Sequence, residues 1–488
     1  MMGVKTTTMM TALVMVTAAF AAPENQSGPD ADKPNIIFVL TDDMSWGELG
    51  CSGNRIIRTP NIDRLYEQSL RFRNFHVAPY CAPTRAQLMS GRHEFFAGVT
   101  DTRYERGDLR DDIKILPQYF KDAGYRTAMV GKWHLATKAK EVGLTGKPLV
   151  PHKRGFDMAL YVFNQVQRFN PGLSRNGSHE TFEGYCGDIL FNEAMKWIEN
   201  GSDEQPYFVY LATSIPHGPV AAPEEYLALY EDSGLTKKQA GYYAMVSNVD
   251  TNMGRLMKWL EKRQGNRETI LIFMTDNGHA ISGAAGAGHG IDGFLEPDGL
   301  YNAGLRGGKN QQWQGGTCVP FFLYWPGVAD TGRDCTTLGS GMDMLPTFCD
   351  IIGVKPDDPG LQGHSLLNDI LGKPTSVPKD RILVHHGGRW TYPTELESFK
   401  YNASVITDRY RLVWEKKGKS NEDAERSLAL YDYRSDRGEK QNVIDQHPEV
   451  AKRLQEAFEP WWEEAKKGMV NDLHQLKTGK LVGPKKRK

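Results

Sequence analysis

Two short polar pairs, Asp42-Asp43 and Asp276-Asn277, carry the first chemistry legible in this chain. Their side chains offer only oxygen donors, a set that suits a hard cation such as calcium or magnesium and not zinc. Three carboxylates brought together would repel one another unless a cation joined them. Asp and Asn also form turns and helix caps, so neither pair is decisive alone. Two further clusters, Gly131-Lys132-Trp133-His134 and Pro216-His217-Gly218, hold groups able to bind an anion or move a proton.

Each cluster follows a short apolar run, at 36–40, 269–274, 127–130 and 207–211. The runs are rich in β-branched and aromatic residues and bounded by turn or polar residues, which predicts strands. Helix-like amphipathic stretches lie between them at 115–123, 188–199 and 240–262, with Asp188 read as an N-cap. Continuous apolar strands alternating with helices predict an α/β fold whose large, mostly parallel sheet is covered on both faces. Functional groups in such sheets gather beyond the carboxyl ends of the strands. All four clusters fall at that edge.

Past about residue 375 the texture changes. Segments 381–385, 404–414 and 428–433 read as strands and 448–466 as an amphipathic helix, giving a smaller C-terminal antiparallel sheet-plus-helix domain. The expected division is a main domain over 30–375, a C-terminal subdomain over 376–476, and a basic tail over 477–488, read as disordered. Residues 1–21, with Lys5, an apolar stretch and Ala19-Phe20-Ala21, read as a cleaved signal peptide, so the expected location is secreted or periplasmic. That stretch is too short to span a bilayer and no other run is long enough, so no membrane anchor is expected. A formal net charge of −1 over 488 residues gives no bulk attraction to nucleic acid or membranes. The six cysteines follow neither a disulfide-scaffold nor a zinc spacing, although Cys318, Cys335 and Cys349 could supply a bridge.

The segment Cys81-Ala82-Pro83-Thr84-Arg85, with Ser90-Gly91 beyond it, matches a C-x-P-x-R signature. Through it the chain resembles the type I sulfatase family of the alkaline-phosphatase-like superfamily. The resemblance extends over 34–43, 131–135, Pro216-His217 and 275–278, in the family's order and approximate spacing. It continues through Lys309 ahead of Gly315-Gly316, Val319-Pro320 ahead of Trp325-Pro326-Gly327, the run 343–347, and Leu430-Tyr431-Asp432 with Glu439 and Asn442. One departure is Gln314, where many relatives have Glu before the paired glycines.

This resemblance implies the alkaline-phosphatase-like fold and a sulfatase acting on a sulfate ester, with a sulfated carbohydrate as the expected substrate. It implies that a maturation enzyme, reading Pro83 and Arg85, oxidises Cys81 to Cα-formylglycine. Calcium, with magnesium as the alternative, would be held by Asp42, Asp43, Asp276 and Asn277 together with the modified Cys81. The formylglycine hydrate would attack sulfur and form a covalent sulfate intermediate, while His217, or alternatively Lys309, protonates the leaving oxygen. His134 would deprotonate the remaining hydroxyl and expel sulfate, the exit that a thiolate adduct lacks. Arg85 and Lys132 would stabilise the hydrate, and Lys132, His217 and Lys309 would grip the sulfate oxygens.

The Gly-rich stretch 282–290 follows the second metal pair and is either a substrate loop or a connection, with His279 and His289 as candidate substrate contacts. Trp313, Arg389 and Trp390 could meet a sugar or simply pack. Two rival functions stand beside the sulfatase. The first is a hydrolase of the same superfamily acting on phosphate esters or phosphonates, as some formylglycine relatives do; its two-zinc type would require more His and Asp ligands and a Ser or Thr nucleophile. An inactive glycan-binding relative would have no use for the intact set Cys81, Arg85, Lys132, His134, His217 and Lys309.

Overall fold

A computed structural model describes residues 33–102, 104–136, 142–263, 267–280, 301–329, 331–388, 403–416 and 426–478. The leader at 1–21, the stretch 282–290 with His289, the pair Arg389-Trp390 and the tail from 479 lie outside the described residues. The described strands are β1 (Asn35–Asp42), β2 (Leu70–Phe72), β3 (Phe75–His76), β4 (Arg126–Lys132), β5 (Met158–Val162), β6 (Gly172–Arg175), β7 (Ser178–Thr181) and β8 (Tyr207–Pro216). They continue with β9 (Thr269–Thr275), β10 (Phe321–Tyr324), β11 (Asp334–Cys335), β12 (Gly339–Ser340), β13 (Leu383–His386), β14 (Ala403–Ile406), β15 (Tyr410–Lys416) and β16 (Arg426–Asp432).

Ten of these form one sheet in the order β11-β2-β10-β9-β1-β8-β4-β5-β6-β7. Its centre, β9-β1-β8-β4-β5, is parallel, whereas β10, β6 and β7 add antiparallel pairings. The result is a mixed, mostly parallel sheet. Strand β1 shows why its sequence reads as an unbroken apolar run. Ile36, Phe38 and Leu40 enter one core with Leu345 and Phe348 of the helix Met344–Ile351. Ile37 and Val39 enter the opposite core with Leu190 of Cys186–Glu199 and Val249 of Lys237–Lys262. With helices on both faces, every position of the strand must be apolar.

A second, antiparallel sheet, β13-β14-β15-β16, is covered by the helix Pro448–Gly468 through Trp414, Leu454 and Phe458. The segment 404–414, read as one strand, is two strands joined by a turn in which Thr407 N–H donates to the Tyr410 carbonyl at 2.9 Å. Asp408-Arg409 at its tip supplies the polar turn chemistry that the continuous reading passed over. Asp188 is not an N-cap. Its helix starts at Cys186, and the Asp188 carboxylate accepts from Asn248 and Asn252 at 3.0 and 2.7 Å. The helix read over 240–262 begins earlier, at Lys237, because Thr236 and Gln239 form a capping box. All six cysteines are free thiols, so no bridge joins Cys318, Cys335 or Cys349. Residues 477 and 478 close the helix Val470–Thr478. No helix among the described residues is long and apolar enough to cross a membrane.

Two backbone features aim the strand ends. The β1–β8 pairing shifts register between Leu40 and Asp42, the kind of irregularity that redirects side chains beside functional sites. In β4, Gly131 has φ +114°, and a Cβ there would stand 2.0 Å from the Ala212 carbonyl oxygen of β8. Only glycine allows β4 to run this close and still deliver Lys132 to the edge. Gly131→Ala is therefore expected to lower stability by at least about 2 kcal/mol, read from the midpoint of denaturant unfolding.

Candidate active site

The crevice lies beyond the carboxyl ends of the parallel strands. Strand β1 delivers Asp42 and Asp43, β4 delivers Lys132 and then His134, β8 leads to His217, and β9 to Asp276 and Asn277. Cys81 opens the helix Cys81–Ser90, every residue of which is buried. Arg85, four residues on, shares its face of that helix.

The side chains converge through a chain of charge pairs. Lys132 Nζ donates to Asp42 Oδ2 at 2.8 Å, with both side chains fully buried. Arg85 donates to Asp276 Oδ2 from Nε and Nη2 at 3.1 and 2.7 Å, and from Nη1 to the Lys132 carbonyl at 2.7 Å. Lys309 Nζ pairs with Asp43 Oδ1 and stands 3.2 Å from Cys81 Sγ. Asn277 Nδ2 donates to Asp43 Oδ1 at 2.8 Å, and His217 Nε2 lies 3.4 Å from Asp43 Oδ2. Asp43 and His134 hold positive φ, +66° and +59°, which for a non-glycine residue is strain of the kind retained at functional sites.

The electrostatics separate these groups. Burial would raise the Asp42 carboxyl, but Lys132, His217, Arg85 and Lys309 outweigh it and hold it well below the usual carboxylate range. Burial and the neighbouring Asp42 push Asp276 up to about 7 in spite of Arg85. Like charges in one dry site do not ionise together without help. Burial, aided by Asp276 and Asp42, pushes the Cys81 thiol up against the pull of Lys132 and Lys309. Burial, with Lys132 and Arg85, holds the His134 imidazole well below its ordinary value, and neither ring nitrogen has a hydrogen-bond partner. The imidazole is therefore neutral, with one ring nitrogen unprotonated.

The donor set fits a hard cation. Asp42 Oδ1 and Asn277 Oδ1 are buried acceptors with no hydrogen-bond partner, although buried oxygens are normally satisfied. Ligand atoms of Asp42, Asp43, Cys81 and His217 all lie within 4.8 Å of one another. Asp276 stands at the rear, where its Oδ1 also accepts the Asp43 N–H at 3.2 Å.

The structure thus brings together Asp42, Asp43, Cys81, Arg85, Lys132, His217, Asp276, Asn277 and Lys309, with His134 bordering the adjoining cleft. His279 does not join them as a substrate contact. It is fully buried, its Nδ1 is 3.3 Å from Ser45 Oγ and 3.4 Å from Glu48 Oε1, and its carbonyl accepts the Lys309 N–H at 2.8 Å. Its place directly after Asp276-Asn277 leads it into the interior. Trp313 packs instead of facing a sugar, with the Arg306 guanidinium 3.6 Å above its ring. Gln314 leaves the Lys309 loop seated, since its N–H donates to Glu439 Oε2 at 2.9 Å. Sequence reasoning missed Tyr242, whose hydroxyl donates to the Asp43 carbonyl at 2.6 Å, and Arg168 behind His217. Neither stands in a motif; Tyr242 reads only as part of a helix face.

Comparison with known proteins gives the family. The Sulfatase family matches residues 34–354, and the family described as N-sulphoglucosamine sulphohydrolase, C-terminal, matches residues 309–464. N-acetylgalactosamine-6-sulfatase of Homo sapiens is 28% identical over 410 residues, covering 75% of this chain and 73% of that protein. N-acetylgalactosamine-6-O-sulfatase of Bacteroides thetaiotaomicron is 25% identical over 521 residues, covering 92% of this chain and 96% of that protein. Among solved structures, Ps i-CgsB in complex with k-i-k-neocarrahexaose superposes with a TM-score of 0.74 at 24% identity, covering 92% of this chain and 98% of that one. With the family matched across most of the main sheet and its flanking helices, the chain belongs to the type I sulfatase family and is a sulfuric ester hydrolase.

Proposed function

We propose that this sulfatase removes sulfate from a carbohydrate, with 6-sulfated N-acetylgalactosamine as the first candidate, using a formylglycine made from Cys81 and a bound calcium ion. The observation that carries this reading is the convergence on one carboxylate, Asp43, of Cys81 Sγ at 3.6 Å, Lys309 Nζ, His217 Nε2 and Asn277 Nδ2. Nucleophile position, anion-binding charge and proton donor are thereby held around a single point. The relatives named for N-acetylgalactosamine-6-sulfate support the sugar. So does the adjoining cleft of about 570 Å³, where Tyr161, Phe163, Asn164, Gln165 and His179 offer rings and amides next to His134. Export through the leader at 1–21 belongs to the same proposal.

Asp42, Asp43, Asp276 and Asn277 would hold the calcium, which when bound supplies positive charge to anionic oxygens and relieves the carboxylate crowding. As a formylglycine hydrate, Cys81 would supply one hydroxyl to attack sulfur and a second whose loss of a proton releases sulfate. The unmodified thiol is poorly suited to this work, because burial disfavours its ionisation. Lys132 and Lys309 present fixed ammonium groups to the transferring sulfate. His217, whose side chain is 21% exposed, sits where the leaving alcohol must depart and gives that oxygen a proton. His134, buried and neutral, takes the proton whose removal restores the aldehyde.

Protein co-expressed with a maturation enzyme should yield a Cys81 peptide lighter by the difference between a CH2SH and a CHO group. It should release sulfate from 6-O-sulfated N-acetylgalactosamine faster than from the 4-O-sulfated isomer, and faster than it releases phosphate from the 6-phosphate. A preserved thiol in active protein, or a preference for the phosphate, would overturn the reading. Chelation should abolish turnover, and calcium should restore it better than magnesium. His134→Ala should lower kcat by about 10²–10⁴-fold while an initial burst of one alcohol per enzyme remains, since only the release step is impaired.

A further inference from the structure

Arg168 lies in the loop between β5 and β6, is 4% exposed, and directs its guanidinium at four main-chain carbonyls, with the Cys186 thiol beside it. Nη1 donates to Val166 at 2.7 Å, within its own loop. Nη2 donates to the His217 carbonyl and, at 3.2 Å, to that of Gly218, while Nε donates to Pro219 at 3.2 Å. One planar fork therefore ties the 163–171 loop to three consecutive carbonyls of the turn that carries His217. Burying a guanidinium is costly unless its donors are satisfied, and packing alone could be met by an apolar side chain. What the guanidinium adds is geometry.

The Gly218 carbonyl is shared. His217 Nδ1 stands 2.7 Å from it. A carbonyl only accepts, so Nδ1 donates to it; the proton that Nε2 delivers is the second one of the imidazolium, held toward the site 3.4 Å from Asp43 Oδ2. The Gln165 side-chain amide lies against the same ring, 3.0 Å from Nδ1 and 3.5 Å from Nε2. Holding the Gly218 oxygen holds the ring orientation, and with it the direction in which Nε2 can deliver a proton.

We propose that Arg168 is a positioning residue that aims His217 at the leaving oxygen by clamping the carbonyls of His217, Gly218 and Pro219. The inference rests on the reading of His217 as general acid and adds what fixes that acid in place. Lysine would keep the charge but lacks the fork needed to reach several carbonyls at once. The consequence is selective, because an alkoxide needs a proton as its bond to sulfur breaks and a nitrophenolate does not.

The test compares kcat/KM for an aryl sulfate with a good leaving group and for a sugar or alkyl sulfate, in wild type, Arg168→Lys, Arg168→Gln and His217→Ala. Both Arg168 variants should lose at least about tenfold more on the alkyl ester than on the aryl ester, following the pattern of His217→Ala. An equal loss on both esters, or loss of the folded state in both Arg168 variants, would mean that Arg168 serves the fold alone and would overturn the proposal. If His217→Ala itself shows no difference between the esters, the general-acid reading fails instead. The two failures are thus distinguishable.

Discussion

Asp42, Asp43 and Asp276 stand at the edge of one sheet with no more than 1% of any of them exposed, and the site is arranged around keeping three such anions together. Each has its own cation: Lys132 for Asp42, Lys309 for Asp43 and Arg85 for Asp276. Removing one partner of a buried pair typically costs about 3–5 kcal/mol, so these residues cannot drift independently. The cations come from different parts of the chain: β4, the helix Cys81–Ser90 and the Lys309 loop. Charge pairing at the sheet edge therefore fixes how three distant segments pack, and packing in turn fixes where a substrate oxygen would sit.

The pairing is incomplete in one informative respect. The oxygens left without partners, Asp42 Oδ1 and Asn277 Oδ1, belong to the metal-capable side of the site, and Asp276 remains raised to about 7. Lysines and arginine pair with all three carboxylates; they do not satisfy every acceptor in the crevice. The other side is wetter. His217 is partly exposed, whereas Lys132 and Arg85 are fully buried. A rigid, dry rear that holds charge and an open front that exchanges an alcohol for water is the division that ester hydrolysis needs.

Much of this could be read from the sequence because parallel strands buried on both faces leave a plain signature. The runs at 36–40, 127–130, 207–211 and 269–274 each end at a chemical residue, and the structure places all four ends on one edge. Residues carried by a strand end or by the helix Cys81–Ser90 were legible for that reason. Loop contacts were not. Arg168 acts through carbonyls of residues about fifty positions away, and no local periodicity marks such a pairing. His279 misled for the same reason. Two residues past Asn277 it resembles a site histidine, but the chain turns inward there, and its ring goes to Ser45 and Glu48. Asp188 failed as a cap because its carboxylate is taken by Asn248 and Asn252 of a helix distant in sequence.

The smaller sheet is a structural partner of the site. Arg411 of β15 and Glu439 form a fully buried ion pair at 2.7 Å. From that pair, Arg411 Nη1 donates to the Gln312 carbonyl, Glu439 Oε2 accepts the Gln314 N–H, and the Glu439 carbonyl accepts from Arg306 Nη1 at 2.9 Å. These contacts bracket Lys309 on both sides, while the Asn310 N–H donates to the Pro79 carbonyl two residues before Cys81. The loop that sets an ammonium group against Asp43 is thus pinned from the C-terminal sheet and from the segment just before Cys81. Lys309 belongs to the crevice by its charge and to the C-terminal subdomain by its anchorage, so the main sheet alone would present Asp43 without the cation that holds it.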